Sequence, residues 1–213
     1  MKKIKRALIS VSDKSNLKPL LSVLKKNKVE IVSSGGTYKE IKRLKFKCIE
    51  VSEYTGSPEI LEGRVKTLHP KIHAGILNKR NNRSHHADLV INNFENIDLV
   101  IVNFYPFENI LKSSSNHKKI IENIDVGGPT MVRSAAKNYN DVTVITSIDQ
   151  YGELIKEMIS YKGKTSLKFR EKMSQFAFAE TAYYDALISN YFNKLNNTFF
   201  PKKKIIYGNL IEK

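Results

Sequence analysis

The sequence predicts an α/β protein built on a mainly parallel sheet, and three observations carry that expectation. Short β-prone apolar runs alternate with stretches of helical period through residues 1–147. One run, Asp98 to Asn103, is continuously apolar, as a strand buried on both faces must be. Polar, glycine-containing clusters fall where these runs end. Beyond Thr165 the pattern is helical alone, which adds a C-terminal helical extension.

Ala7 to Val11 reads as the first strand, Leu17, Leu20, Leu21 and Leu24 recur at helical spacing, and Val29 to Ser33 returns to strand. That is β-α-β, the opening of a parallel sheet. Thr37 and Glu40 have capping-box spacing, so Thr37 is expected to cap a second helix through Leu44, with Cys48 to Val51 as the third strand. Ser57-Pro58 repeats a cap-plus-proline start signal. Asp98 to Asn103 supplies the central strand, Pro129 to Asn138 a helix, and Val142 to Thr146 the last strand. Ser147 to Gln150 is a second capping box, opening a helix to about Ile159. Phe169, Met173, Phe176, Ala177, Tyr183, Tyr184, Leu187 and Tyr191 continue a helical pattern to Asn193. The expected division is a sheet domain over 1–147, a helical extension over 148–195 and a linker-like tail over 196–213.

The 213 residues, 41% of them hydrophobic, are enough to bury a sizeable core. No run approaches the roughly 18 apolar residues of a membrane span, and no apolar stretch of signal-peptide length follows Met1-Lys2-Lys3, so a cytoplasmic protein without membrane contact is expected. The lone Cys48 fits a reducing compartment and reads as a buried structural thiol. Net charge is +15, from 36 basic and 21 acidic residues, which suits an anionic partner. The lysines are scattered among asparagines rather than grouped into a stripe, and no aromatic-basic stacking motif appears, so nucleic acid is not the expected partner. Neither the dinucleotide fingerprint nor the P-loop is present.

In an open parallel sheet, ligands bind beyond the carboxyl ends of the strands. Ser10, Ser12 and Lys14 follow strand one; Ser34, Gly35, Gly36 and Thr37 follow strand two; Asn103 and Tyr105 follow the central strand; Asp125 precedes Gly127 and Gly128 at a helix start. Glycine amides, hydroxyls and the cations Lys14, Arg64 and Lys66 together describe a phosphate cradle, with a helix cap as the alternative for each Ser or Thr taken singly. The segment from Gly63 to His73 adds Thr67, His69 and His73 without a clear period. Pro70 between the two histidines argues against one helix face carrying both, and no third ligand lies nearby, so no metal site is expected. His85 and His86 read as surface or helix-start residues. Thr130, Arg133 and Lys137 share one helical face, for which a solvated stripe is the plain explanation.

Six motifs occur in order: Ser10-Val-Ser-Asp-Lys14, Ser34-Gly-Gly-Thr37, Gly63-Arg-Val-Lys-Thr-Leu-His-Pro-Lys-Ile-His73, Asn103-Phe-Tyr-Pro-Phe107, Ile124-Asp-Val-Gly-Gly-Pro129 and Arg133-Ser-Ala-Ala-Lys-Asn138. Together they resemble the inosine monophosphate cyclohydrolase half of the bifunctional purine-biosynthesis family, from Arg6 to Phe192. Ala74, Phe104, Thr130 and Ser134 depart from the family's usual residues. The resemblance implies a methylglyoxal-synthase-like three-layer fold, no cofactor, no metal, and a homodimer. It also implies that the family's transformylase domain is absent from this chain, so formyl transfer is not expected.

The implied reaction is cyclodehydration of 5-formamidoimidazole-4-carboxamide ribotide, in which the carboxamide nitrogen attacks the formyl carbon and water leaves. By resemblance, Asp125 orients or deprotonates the carboxamide, Lys137 and Tyr105 stabilise the oxyanion and protonate the departing hydroxyl, and Lys66 adds charge by the ring or phosphate. Ser12, Lys14, Ser34, Gly36, Thr37, Arg64 and Thr67 would hold phosphate and ribose, with Asn103 near the base, and Ser10, Gly35, Gly127 and Gly128 complete the substrate- and phosphate-binding set. A nucleotide- or phosphosugar-sensing module of the same fold needs the cradle but not Tyr105, Asp125 and Lys137 together. Methylglyoxal synthase itself would call for a different acidic constellation.

Overall fold

The computed structural model describes residues 1–198, 201–203 and 205–206. In chain order the elements are β1 (Lys2–Lys3), β2 (Arg6–Val11), α1 (Leu17–Lys26), β3 (Glu30–Ser33), α2 (Gly35–Arg43), β4 (Ile49–Glu50) and α3 (Val51–Thr55). A single 3-10 turn at Leu61–Gly63 precedes α4 (Pro70–Leu77), α5 (Arg83–Ile91), β5 (Leu99–Asn103), α6 (Phe107–Ser113), α7 (His117–Glu122) and α8 (Gly127–Lys137). β6 (Thr143–Ile145), a second 3-10 turn at Ile148–Gln150, α9 (Tyr151–Ser160), β7 (Lys164–Thr165) and α10 (Leu167–Leu195) complete the chain.

Five strands form one all-parallel sheet in the order β4-β3-β2-β5-β6, while β1 and β7 pair antiparallel as a separate ribbon. β2 and β5 are adjacent, and the chain winds outward from them in opposite directions. With right-handed crossovers this sends α1 and α8 to opposite faces, giving three layers. The strand sequences explain their burial: Leu8, Ile9, Leu99, Val100, Ile101 and Val102 are all inaccessible to solvent, as a strand covered on both sides requires. α1 packs beside α9, and α8 packs against α4, β5 and α10. At its start α10 is tied down by buried Arg170, whose guanidinium donates to the carbonyls of Thr165 (2.6 Å), Tyr139 (2.7 Å) and Asn140 (2.9 Å). Those acceptors offset the cost of burying a cation.

The α/β class, the parallel sheet and the helical extension are as the sequence indicates, and Ser147 and Gln150 form the expected capping box. Several local expectations are corrected. Helix α2 begins at Gly35 rather than after Thr37, because the Thr37 hydroxyl is taken by the end of β2. α8 starts at Gly127, two residues before Pro129. The third strand keeps only Ile49 and Glu50, since Val51 opens α3. Ser57-Pro58 starts no helix; the Ser57 hydroxyl instead meets His69 Nε2 at 3.2 Å. Pro70 separates the two histidines as expected, and does so by opening α4 at its first position, where its missing N–H costs nothing, with His69 left outside as the cap. The tail expected over 196–213 lies in part outside the described residues.

Candidate active site

Helix α2 presents its N-terminus with no side-chain cap, leaving the amides of its first turn for a ligand or water. Gly35 adopts φ +52°, a left-handed conformation that glycine enters without strain. Two ammonium groups stand over this turn. A Cβ placed on Gly35 would lie 3.2 Å from Lys66 Nζ, and one on Gly36 would lie 3.6 Å from Lys14 Nζ. Lys14 is held by the Ser12 carbonyl at 2.9 Å, and Lys66 pairs with Glu59 at 2.9 Å. Two cations and a helix N-terminus facing one point form an anion cradle.

Thr37 and Asn103 lie at this edge in roles of their own. The Thr37 hydroxyl accepts from Val11 N–H (3.0 Å) and donates to Val11 C=O (2.9 Å), fastening α2 to the end of β2. Asn103 Oδ1 accepts from the amides of Ser12 (2.6 Å) and Asp13 (3.0 Å), and its Nδ2 donates to Asp13 C=O (3.0 Å). Asn103 thereby fixes the loop that carries Ser12 and Lys14, at the point between β2 and β5 where the strand order reverses. Ser10 is half-buried in β2 opposite Val102.

The 63–68 segment joins the cradle to α8. Arg64 forms an exposed ion pair with Glu122 at the end of α7. A Cβ on Gly127 would come within 2.8 Å of Thr67 Oγ1, so only glycine permits that approach. His69 caps α4 by accepting from Lys71 N–H, whereas His73 Nδ1 meets Ser134 Oγ at 3.2 Å. Burial pushes His73 below the usual histidine range despite the Thr67 backbone nearby, so it is neutral at pH 7. The two imidazoles diverge, and no group of three metal-ligating side chains occurs among the described residues.

Asp125 sits just before α8, with Oδ1 accepting from Gly128 N–H at 2.8 Å. Burial raises its pKa above the ordinary carboxylate value, and the Gly128 N–H only partly opposes that. Its own amide donates to the Tyr184 hydroxyl at 2.8 Å. Tyr184 packs on Phe104 with ring centroids 5.0 Å apart, next to the exposed Tyr105. Burial, with the charges that Asp125, Asp185 and Tyr105 can carry, pushes the Tyr184 phenol up to about 12. Asp125 and Tyr105 are therefore neighbours of one buried tyrosine.

Lys137 is not brought to this edge. It ends α8, whose rise of about 1.5 Å per residue sets it about 15 Å from Gly127. There it lines an open groove of about 500 Å³ with Leu77, Arg133, Ser134, Tyr139 and Phe178. Tyr184, Glu59 and Asn103's loop-holding role had no local sequence signal, because each contact joins distant segments or depends on the folded loops. Cys48 is half-buried against the core rather than fully buried, and burial pushes its thiol up to about 12, out of the nucleophilic range.

A five-stranded all-parallel sheet between helices defines the three-layer α/β class, and the chain belongs to the MGS-like domain family, whose model matches residues 16–130. The model described as AICARFT/IMPCHase bienzyme matches residues 135–211. The bifunctional purine biosynthesis protein PurH of Bradyrhizobium diazoefficiens is 44% identical over 211 residues, covering 99% of this chain and 40% of that protein. PurH of Lactobacillus acidophilus is 48% identical over 211 residues, covering 99% and 41%. The chain thus spans about 40% of the length of the curated relatives it matches. A solved structure titled "Crystal structure of ForH" superposes with a TM-score of 0.79 at 29% identity, over 89% of this chain and 99% of that one.

Proposed function

We propose that this chain catalyses the inosine monophosphate cyclohydrolase reaction, closing the purine six-membered ring of 5-formamidoimidazole-4-carboxamide ribotide with loss of water. The reading is supported by the Lys14 and Lys66 ammonium groups standing over the start of α2, and by Thr67, next to Lys66 in the chain, lying against Gly127 at the start of α8 just after Asp125. The similarity to the bifunctional purine biosynthesis protein PurH and to the AICARFT/IMPCHase bienzyme supports the choice of substrate.

The reaction is intramolecular, so positioning supplies much of the rate. The 5′-phosphate binds the free amides of α2 between Lys14 and Lys66, with Ser12, Ser34, Arg64 and Thr67 around it. Asp125, with its raised pKa, accepts the carboxamide proton as the nitrogen attacks the formyl carbon. The formyl oxygen gains negative charge, for which the Tyr105 hydroxyl and the Gly127 amide are the donors at hand, the Gly128 amide being engaged by Asp125. The oxyanion takes up the proton that Asp125 accepted; the formamido N–H then gives up its proton as the ring C=N bond forms, and the hydroxyl leaves with that proton as water, so the two N–H protons lost are the two hydrogens of the water released.

A cytoplasmic homodimer completes the reading. Within one chain Lys137 is too far from Asp125, but two copies of α8 lying antiparallel across a two-fold axis would set each Lys137 beside the other chain's Asp125. The outward stripe of Val126, Thr130, Arg133 and Lys137 along α8 supports that arrangement. Residues 1–147 would carry the sheet and 148–195 the packing helices.

The test is to mix purified chain with the formylated ribotide and follow purine absorbance without folate or metal. A rise lost in Asp125→Asn is expected. Nucleotide binding without turnover would replace this reading with the sensing module. A mixture of Lys137→Ala and Asp125→Asn chains is expected to recover activity that neither has alone; no recovery removes Lys137 from the site.

A further inference from the structure

We propose that Tyr184, on the helical extension, is a positioning residue that holds the Asp125 loop in register with the Tyr105 loop. The inference rests on the cyclisation reading above and deepens it. The Tyr184 hydroxyl accepts from the amide of Asp125 at 2.8 Å and lies 3.5 Å from the carbonyl of Asn123, so one phenol reaches the backbone on both sides of Ile124. Its ring meets Phe104 at 5.0 Å and Phe107 at 6.0 Å, the two aromatics that bracket Tyr105 and Pro106. One side chain thus touches both loops that carry the acid and the phenol, while belonging to neither.

The contact is built rather than incidental. Tyr184 is 3% exposed, and a phenol buried that deeply is costly unless its hydroxyl is paired. The Asp125 amide lies outside the helical ladder, since α8 begins two residues later, and Tyr184 is the acceptor it has among the described residues. The Asp125 carboxylate is anchored at its other end by Gly128 N–H. Removing the phenol would leave that single bond to set the direction of the base, and small displacements of a reacting group are expensive.

Tyr184→Phe keeps the ring packing and deletes only the hydroxyl. With the formylated ribotide, kcat is expected to fall about tenfold while KM changes by less than about twofold, because the cradle that binds phosphate does not touch Tyr184. Tyr183→Phe, which removes the neighbouring phenol that donates to Glu108 at 3.0 Å, is expected to leave both constants unchanged. A merely structural role would lower the melting temperature and the active fraction of both variants without this split. In the unaltered chain, hydrogen exchange should find the Asp125 amide protected. An unprotected amide, or a Tyr184→Phe enzyme with wild-type kcat, overturns the inference while leaving cyclisation standing. Absence of turnover in the wild-type chain would sink the cyclisation reading and leave the exchange result to judge the contact.

Discussion

Replacing Asn103 by Ala separates a residue that reads a base from one that holds a loop. In the structure its side chain makes three hydrogen bonds to one loop: two backbone amides at 2.6 and 3.0 Å and one carbonyl at 3.0 Å, all from Ser12 and Asp13. Each such bond contributes about 1 kcal/mol net, and water can replace part of that at a half-buried site, so the loss is about 1–2 kcal/mol. In a domain of this size that lowers the melting temperature by about 2–8 °C. The freed loop carries Lys14, whose ammonium depends on the Ser12 carbonyl for its placement over Gly36. Affinity for inosine monophosphate and for inorganic phosphate should therefore weaken together, each by about tenfold, a loss of about 1.4 kcal/mol. Calorimetric melting and titration with both ligands measure this. Unchanged melting with weakened nucleotide binding and intact phosphate binding would refute the reasoning, because it would make Asn103 a contact to the base.

Thr37→Val deletes the two bonds to Val11 at the buried end of β2; a destabilisation of about 2 kcal/mol is expected, read as a melting temperature about 4–8 °C lower. Melting within about 1 °C of wild type would show that the junction is not held there. Gly127→Ala drives a methyl to within 2.8 Å of Thr67 Oγ1 and should raise KM for the ribotide about tenfold or more, whereas wild-type kinetics would mean Thr67 has room to move. Burial raises Asp125 above an ordinary carboxylate, whose pKa is about 3.9. Since the base must be ionised, kcat/KM should fall as pH drops through that raised value, and a rate flat down to about pH 4 would contradict it.

The architecture was legible because it is written in periodicity. The continuous apolar run into Asn103, the leucines of α1 and the long helical pattern ending in α10 each need only their own neighbours to be read. Helix starts were harder. Thr37 carries the right spacing for a cap, yet the hydroxyl found a stronger partner across 26 residues in Val11, and α2 begins on uncapped glycines instead. Pro70 kept His69 and His73 off one helix face, as its place between them suggested, but that it does so by starting α4 with His69 as the cap was not legible. For the candidate site, the motifs pointed to loops that follow the strands, but not to what each side chain does there. Asn103 turns to Ser12, and Tyr184 reaches Asp125 across 59 residues. Lys137 shows the limit most plainly: twelve positions after Asp125 in the chain, it lies at the opposite end of α8, and only three-dimensional rise along the helix reveals the separation.

The claim on which the account rests is that one sheet edge binds the phosphate and aims the base at Asp125. A crystal structure with inosine monophosphate bound tests it directly. The phosphate is expected on the amides of Gly35, Gly36 and Thr37 between Lys14 and Lys66, with the purine ring toward Asp125 and Tyr105. A phosphate seated instead in the groove of Arg133 and Lys137, with the α2 N-terminus left to water, would contradict it.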